Sequence, residues 1–220
     1  MGTNTQYLKN KRILITAGPT WVPIDCVRVI SNIATGETGI LLAERLQRLG
    51  AKITLLIGPV SSCCLNRNIR LIHFSYFSEF KKIIMGELKN RKYDAVIHSA
   101  AVSDYRPLKI YSHKVKSGIK HWQINLVPAE KIIDALRKIA PDIFLVGFKF
   151  EPKANKEDLM QNAKALIQRC RLNLAVANTI KQGRYKAYIV NKNKIRGPFS
   201  CRDYLARGLI EELGEIPCKN

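Results

Sequence analysis

Residues 12–20, with the sequence RILITAGPT, decide the fold of this chain. The apolar run is rich in residues that favour β-strands, and it stops at a Gly-Pro pair that forms turns. A second run, KITLLI at Lys52–Ile57, also stops at a Gly-Pro pair. Short continuous apolar runs that end in turns are typical of strands buried on both faces of a sheet. The chain is therefore predicted to contain a covered, mostly parallel sheet.

Helical periodicity alternates with these apolar runs along the chain. Helices are predicted at residues 40–49, 77–88, 130–139, 159–169 and 204–213, and further strands at 68–74, 95–98, 143–148 and 174–177, with an edge pair at 187–190 and 194–197. This alternation predicts right-handed crossovers and hence an α/β, Rossmann-like fold, with helices on both faces of the sheet. We expect a single domain over residues 1–220. The pattern lapses after the fourth strand, where a long flap is expected at residues 108–123.

The composition limits the class of protein. Its 220 residues suit one α/β domain, and 46% hydrophobic with 25% charged residues is ordinary for a globular protein. No apolar run is long enough to cross a bilayer, and residues 1–11 lack the apolar segment of a signal peptide. The six cysteines, including the adjacent pair at residues 63–64, show no paired metal-ligand spacing. We expect a cytoplasmic protein with reduced thiols and no membrane contact.

The net charge of +20 points to anionic partners. A strongly basic chain attracts phosphorylated small molecules or nucleic acid. The lysines and arginines are spread along the whole length, and no aromatic stacking motif, helix-turn-helix or zinc finger accompanies them. A basic nucleic-acid-binding module is therefore the alternative from another class of protein, supported by charge alone. A charge without function is equally compatible with the sequence.

Two common nucleotide-binding folds are excluded by their missing motifs. A nicotinamide-dependent reductase needs three glycines in the turn after its first strand, where this chain has GPTW at residues 18–21. It also needs an acidic residue after its second strand, where this chain has Gly-Pro. The Gly-Lys-Ser/Thr sequence of a P-loop does not occur. The layout is thus Rossmann-like without dinucleotide chemistry.

Two polar segments carry the candidate site. The first, residues 29–39 (VISNIATGETG), offers an amide, a hydroxyl and glycines just before a helix. Glycines let backbone N–H groups approach a ligand, and a helix N-terminus favours negative charge. The second, residues 99–107 (SAAVSDYRP), follows a buried strand. Because ligands of open α/β sheets bind beyond the carboxyl ends of strands, we expect both segments to line one pocket for an anion.

Short matches to a known family run in order along nearly the whole chain. They are ITAGPT (15–20), PIDCVR (23–28), ISN (30–32), TG (35–36), Gly39, AAVSDY (100–105), HKVK (113–116), VGFK (146–149) and AN (177–178). Each piece alone is a weak signal. In this order and spacing they resemble the phosphopantothenoylcysteine synthetase family.

The resemblance implies a two-step ligation. The carboxylate of 4′-phosphopantothenate attacks the α-phosphate of CTP, which gives an acyl-nucleotidylate and pyrophosphate. The amine of L-cysteine then displaces the nucleotide monophosphate and forms an amide. ATP is the alternative nucleotide, because the flap reads KVKS and eukaryotic relatives favour ATP. The resemblance also implies Mg²⁺, a homodimer and, with no segment for a flavin-dependent decarboxylase, a monofunctional form.

The resemblance assigns roles residue by residue. Asn32 and Lys114 are the expected catalytic residues: the amide of Asn32 donates to the intermediate, and Lys114 in the flap screens the phosphates. The expected nucleotide-binding residues are Ala100, Ala101, Asp104, Lys114, Ile132 and Phe148. The expected substrate-binding residues are Gly18, Asn32, Thr35, Gly36, Gly39 and Asn178. Asp104 is also the expected contact for Mg²⁺; a plain turn residue at Asp104 and an ordinary core residue at Phe148 are the competing interpretations.

One helix departs from the family pattern. The helix before the Ala-Asn strand usually carries two lysines that grip the triphosphate, and this chain has Leu166 and Cys170 at those positions. Lys164, Arg169 and Arg171 are the candidate replacements, because phosphate accepts either cation.

No covalent nucleophile is expected from this chain. The substrate carboxylate is itself the nucleophile of the first step, and free cysteine is the nucleophile of the second. His98 and His113 are the histidines nearest the predicted site. His98 lies inside a predicted strand and is expected to pack in the core.

Overall fold

The computed structural model describes residues 6–61 and 66–216, which form an eight-stranded sheet, two two-stranded ribbons and five α-helices. The strands are β1 (Arg12–Ala17), β2 (Trp21–Pro23), β3 (Val29–Ser31), β4 (Lys52–Ile57), β5 (Arg70–His73), β6 (Ala95–His98), β7 (Tyr105–Pro107), β8 (Leu126–Pro128), β9 (Phe144–Phe150), β10 (Leu174–Lys181), β11 (Arg184–Val190) and β12 (Ile195–Phe199). The helices are α1 (Glu37–Arg48), α2 (Phe77–Asn90), α3 (Ile132–Ile139), α4 (Lys156–Cys170) and α5 (Arg202–Glu212). Short 3₁₀ helices lie at Gln6–Leu8 and Leu213–Glu215.

The large sheet has the strand order β12-β11-β10-β9-β6-β1-β4-β5. Its six strands from β10 to β5 are parallel, and β11 and β12 each pair antiparallel with their neighbour. The predicted Rossmann-like, mostly parallel sheet is confirmed, and so is the predicted edge pair. The chain leaves β1 towards β4 and β5, and then returns to the other side of β1 with β6. This reversal opens a crevice between β1 and β6 at the carboxyl ends of the strands.

Helices cover both faces of the sheet, as predicted. One layer contains α1 and α5, and the other contains α2, α3 and α4. The side chains of β1 alternate between the layers: Ile13 and Ile15 pack with Leu42 of α1, whereas Leu14 packs with Phe80 of α2. Fully burying one such side chain contributes roughly 1.5–3 kcal/mol. Both faces therefore demand apolar residues, which explains the continuous apolar run of β1.

The structure corrects several predicted element bounds. β9 and β10 continue beyond the predicted ends at residues 148 and 177, because β9 pairs with β10 as far as Phe150 and β10 pairs with β11 from Ala175 to Lys181. The two ribbons, β2–β3 and β7–β8, were not predicted. The flap at residues 108–123 does follow the fourth strand of the large sheet, but it projects from the β7–β8 ribbon.

The predictions of no membrane-spanning segment and of reduced thiols can be compared with the described residues. No helix within them is both long and apolar enough to cross a membrane. Cys26, Cys170 and Cys201 are free thiols. The cysteines at residues 63, 64 and 218 lie outside the described residues.

We predict that Gly39→Ala destabilises the protein by about 1–3 kcal/mol, because an added methyl group overpacks the contact between α1 and β1. A Cβ atom at Gly39 would lie 2.6 Å from Cβ of Ala17 and 2.8 Å from Oγ of Ser99. Gly86 in α2 is the matched control, since nothing lies within 4 Å of a Cβ atom there. Gly86→Ala should stabilise by up to about 1 kcal/mol. Urea unfolding of both variants measures the difference, and equal effects would refute this account of Gly39.

Candidate active site

A cavity of about 740 Å³ lies at the carboxyl ends of β1, β6, β9 and β10. The predicted site residues that line it are Gly18, Asn32, Thr35, Gly36, Gly39, Ala100, Ala101, Asp104, Ile132, Phe148 and Asn178. The structure thus brings both polar segments to one place. Lys114 does not line this cavity, and the individual binding roles stay predictions.

The loops that follow β1 and β6 hydrogen-bond to each other beneath the cavity. The Ala101 N–H donates to the Gly18 carbonyl oxygen at 2.9 Å. The Ser103 N–H donates to the Thr20 hydroxyl at 3.0 Å, and both residues are buried. These bonds satisfy backbone groups that leave the sheet without a neighbouring strand. They hold the second polar segment at a fixed height above the sheet.

Asn32 joins the first polar segment to the second. Its Nδ2 donates to the carbonyl oxygens of Ala101, at 3.1 Å, and Val102, at 3.2 Å. The predicted amide donor is therefore engaged with the backbone here. Its carboxamide oxygen remains an acceptor at the cavity wall.

The N-terminus of α1 provides an anion site on one wall. Gly36 is the N-cap residue with φ of 74°, a left-handed conformation that favours glycine, and no side chain caps the helix. The first-turn N–H groups of a helix need partners, and its dipole favours negative charge. Glu37 N–H reaches the Thr35 hydroxyl only at 3.5 Å. This wall suits a phosphate or carboxylate group.

His98 packs in the core, as predicted, and also borders the cavity. It is buried, its Nδ1 lies 2.9 Å from the Thr16 hydroxyl, and its ring stacks on Phe80. The Thr16 hydroxyl also accepts the Ala100 N–H at 3.2 Å. Burial lowers the pKa of His98 from 6.5 to about 4. The imidazole is therefore neutral at pH 7, and its hydrogen bond with the Thr16 hydroxyl orients that side chain.

We predict that acid weakens folding through His98. Its pKa is depressed in the folded state, so the unfolded chain binds the extra proton, and stability falls as pH drops below 6.5. Between pH 7 and pH 5 the free energy of unfolding should fall by about 2 kcal/mol more in the wild type than in His98→Asn. Urea unfolding at both pH values measures this difference. A wild type and a variant with the same pH dependence would contradict the assigned burial effect.

Every cation that lines the cavity is paired with a carboxylate. The pairs are Lys131 with Asp104 at 2.5 Å, Lys149 with Glu151 at 2.9 Å, Arg169 with Asp134 at 2.5 Å and Arg202 with Glu37 at 3.2 Å. Exposed ion pairs of this kind contribute little to stability. A polyphosphate can therefore recruit these cations at small cost.

The structure distinguishes the candidate replacements for the family's lysines. Arg169 lines the cavity. Lys164 and Arg171 line a different cavity, at the amino-terminal ends of β9 and β10. Cys170 is buried, and burial with a hydrogen bond to Asp134 raises the pKa of its thiol to about 12. The thiol is neutral and cannot replace a lysine. Arg169 is thus the replacement that the geometry favours.

The flap rests on the turn between β2 and β3. The Asp25 carboxylate accepts the Val115 N–H at 3.1 Å, and Arg28 donates to the Val115 carbonyl oxygen at 2.9 Å. Arg28 also lies over the Trp122 ring. Burial raises the pKa of Asp25, but backbone hydrogen bonds from Val27, Val115 and Arg28 outweigh it, and the pKa lies below its ordinary value. The charged Asp25 carboxylate therefore anchors the flap to the β2–β3 turn, outside the cavity of the same chain.

The lining residues that sequence reasoning did not assign include Lys131, Lys149, Tyr185 and Arg202. Lys131 and Lys149 are adjacent to predicted site residues, so that neighbourhood was a usable signal. Tyr185 of β11 and Arg202 of α5 carry no sequence signal, since only tertiary folding brings the edge hairpin to the cavity. The Arg202 guanidinium lies 5.3 Å from the Tyr185 ring centre.

Two buried polar atoms at this end of the cavity have no protein partner among the described residues: Asn178 Oδ1 and the Tyr185 hydroxyl. Burial raises the pKa of Tyr185 to about 12, so the hydroxyl keeps its proton. Buried polar atoms in folded proteins are normally hydrogen-bonded. This pair therefore offers an acceptor and a donor to a bound molecule.

Asp104 is the candidate contact for a metal. Within residues 6–61 and 66–216 no three His, Cys, Asp or Glu side chains are grouped to hold a metal ion. One carboxylate fits Mg²⁺ when phosphate oxygens and water supply the remaining ligands. The residues thus suit a metal that arrives with a nucleotide, not one held by the protein alone.

The fold and cavity define an α/β protein with a candidate site, suited to anions, at the switch point of a parallel sheet. Residues 8–205 match the DNA/pantothenate metabolism flavoprotein C-terminal domain, and the chain belongs to this family. The family resemblance seen in the sequence is confirmed.

One curated relative and two solved structures illustrate the similarity. The coenzyme A biosynthesis bifunctional protein CoaBC of Thermococcus kodakarensis is 39% identical over 174 residues, which cover 79% of this chain and 42% of that protein. The DNA/pantothenate metabolism flavoprotein from Streptococcus pneumoniae has a TM-score of 0.83 at 24% identity, covering 92% of this chain and 98% of that one. A Cab2 mutant in complex with phosphopantothenate-cysteine has a TM-score of 0.75 at 17% identity, covering 96% and 91%. The two structures support the fold alone, and the chain spans about half the length of the curated relatives it matches.

Proposed function

We propose that this chain ligates 4′-phosphopantothenate and L-cysteine in coenzyme A biosynthesis, in the cytoplasm, with CTP as the activating nucleotide. The family membership supports the proposal, as does a relative named for coenzyme A biosynthesis. A structural neighbour was solved with phosphopantothenate-cysteine, which is the product of this ligation. The observation that carries the proposal is the Asn32 bridge, which joins both polar segments around one cavity.

The first step must bring two anions together. The substrate carboxylate oxygen attacks the α-phosphorus, and the bond from that phosphorus to pyrophosphate breaks. The N-terminus of α1 and the cations Lys131, Lys149, Arg169 and Arg202 stabilise the phosphates, once they exchange their carboxylate partners for phosphate oxygens. Asp104 would contribute a carboxylate oxygen to Mg²⁺ that arrives with the nucleotide, and the metal would supply further positive charge at the phosphates. The cavity thereby lowers the repulsion between the reactants.

The second step forms the amide. The cysteine amine attacks the carbonyl carbon of the acyl-nucleotidylate, and the nucleotide monophosphate leaves. Asn32 stands beside Ala101 and Val102 and fixes the position of the intermediate. No protein nucleophile is required, which agrees with the neutral, buried state of His98 and Cys170.

We predict pyrophosphate release that requires both phosphopantothenate and a nucleoside triphosphate, since only the substrate carboxylate attacks the α-phosphorus. CTP should support a higher kcat/KM than ATP. Adding cysteine should give stoichiometric amide product, measured by mass spectrometry. Folded protein that releases no pyrophosphate with either nucleotide would refute the ligase proposal. Faster turnover with ATP would contradict only the choice of CTP as the nucleotide and would leave the ligase proposal standing.

We predict that Arg169→Gln raises the KM for the nucleotide roughly tenfold, because one phosphate contact is lost in the bound state. Lys156→Gln is the matched control, since Lys156 is an exposed residue of the same helix outside the cavity. Its KM should equal that of the wild type. An unchanged KM in Arg169→Gln would remove Arg169 from the phosphate contacts.

We also propose a homodimer in which Lys114 serves the partner's cavity. Lys114 lies outside the cavity of its own chain. The β2–β3 turn exposes Val27, and the flap exposes Leu108 and Ile110, each more than half accessible. Exposed apolar side chains are found at many protein interfaces.

Mixing two inactive variants tests this arrangement. Asn32→Ala and Lys114→Gln should each lower turnover strongly. If Lys114 crosses the interface, a refolded equimolar mixture has half heterodimers with one intact site each, and should regain about a quarter of wild-type activity. A mixture that stays as inactive as its components, with a dimer shown by light scattering, would place the flap in its own subunit.

A further inference from the structure

A second cavity, of about 940 Å³, opens at the amino-terminal ends of β9 and β10, on the opposite side of the sheet from the carboxyl ends that form the candidate active site. It lies among the loops that enter β9 and β10 and the turn that joins β11 to β12. Its charged lining residues are Arg137, Lys164, Arg171, Lys192 and Asp142. This cavity, called the basal basin, is therefore lined by four positive charges and one negative charge.

Arg137 is a buried cation that forms no ion pair within the described residues. The residue is 7% exposed, and its guanidinium donates to the carbonyl oxygens of Pro141, Ile143 and Arg171 and to Oδ1 of Asn173. All these acceptors are neutral. Its Nε is buried without a partner among the described residues. Burial, followed by the charge of Arg171, lowers the pKa of Arg137, although the charge of Asp142 opposes this shift. Because buried charges are normally paired, an anion near Nε would stabilise the Arg137 guanidinium.

The other three cations of the basin are also without ion-pair partners. No ion pair formed within residues 6–61 and 66–216 involves Lys164, Arg171 or Lys192. The active-site cavity differs in this respect, because each of its cations has a carboxylate. Unpaired like charges around one basin repel each other, and an anion relieves that repulsion.

The backbone at Arg171 supports a role for its side chain. Arg171 ends α4 with φ of 49°, a left-handed conformation in which glycine is the usual residue. Helix C-termini attract cations, which accounts for Arg137 and Arg171 at the ends of α3 and α4. It does not account for Lys192, which belongs to the turn of the edge hairpin.

We propose that the basal basin binds the phosphate group of a small anionic ligand, at a site separate from the ligase cavity. A phosphate dianion accepts several N–H bonds at once and so matches cations from α3, α4 and the β11–β12 turn that line one cavity. Inorganic phosphate and a nucleoside monophosphate share this chemistry. In this proposal, part of the high positive charge of the chain serves to bind a phosphate group at the basal basin.

Titration by ¹⁵N NMR at constant ionic strength tests the proposal with inorganic phosphate and, separately, with a nucleoside monophosphate. Saturable shifts are expected for the amides of Arg171, Asn191 and Asn193, while the amides of Thr35 and Gly36 report binding in the ligase cavity. Tighter binding by the monophosphate would assign an organic ligand, and equal binding would assign the phosphate group alone. Neither outcome depends on ligase activity.

The variant Arg171→Gly with Lys164→Gln should weaken this binding about tenfold or more, because two of four cations are lost. Glycine keeps the left-handed backbone, so folding is preserved. The control Lys153→Gly with Lys156→Gln removes the same charge, also replaces a left-handed residue, and lies outside the basin. It should bind like the wild type. Shifts that do not saturate, or equal weakening in both variants, would overturn the site.

Discussion

The loops that leave β1 and β6 satisfy their backbone groups on each other, and the rest of the site depends on this exchange. Parallel strands end together at one edge, where their last N–H and C=O groups lose their neighbours. Thr16 and Thr20 supply hydroxyls at that point, and Ala100 and Ser103 donate to them. An unpaired buried donor costs roughly 1–3 kcal/mol. The segment that carries Asp104 therefore has little freedom to move away from the segment that carries Asn32.

Charge is arranged differently at the two ends of the sheet. At the carboxyl end, each cation already has a carboxylate, so the positive charge is available without destabilising the ligand-free protein. At the amino end, Arg137, Lys164, Arg171 and Lys192 form no ion pair in the part of the chain that the structure describes, and Asp142 is the one acidic residue that lines their cavity. The net charge of +20 thus includes two kinds of cation. Those at the carboxyl end are paired with carboxylates, and those of the basal basin repel one another.

Most of the large sheet could be predicted because its strands obey one simple rule. A strand covered by helices on both faces needs apolar residues throughout, and RILITA and KITLLI meet that demand. The ribbons β2–β3 and β7–β8 escaped prediction, because three-residue strands have too little periodicity to distinguish them from loops.

The site was predictable only where neighbouring residues in sequence share it. Segments around Asn32 and Ala100 each follow a strand, so topology alone brings them to one edge. Arg202 arrives from the last helix, and its position depends on how the edge hairpin packs. The position of Lys114 depends on the bond from Val115 to Asp25, a tertiary contact across 90 positions that no local pattern encodes.

The close contact of Gly39 with Ala17 has a consequence for how this protein family diversifies. No side chain fits at Gly39 between helix and strand, because the side chains of Ala17 and Ser99 already occupy that space. Ala34 and Thr35 line the same cavity without this restriction, so substitutions there can change the chemistry of the cavity wall while the packing of α1 on the sheet is kept. Ligand choice and scaffold shape can thus evolve independently.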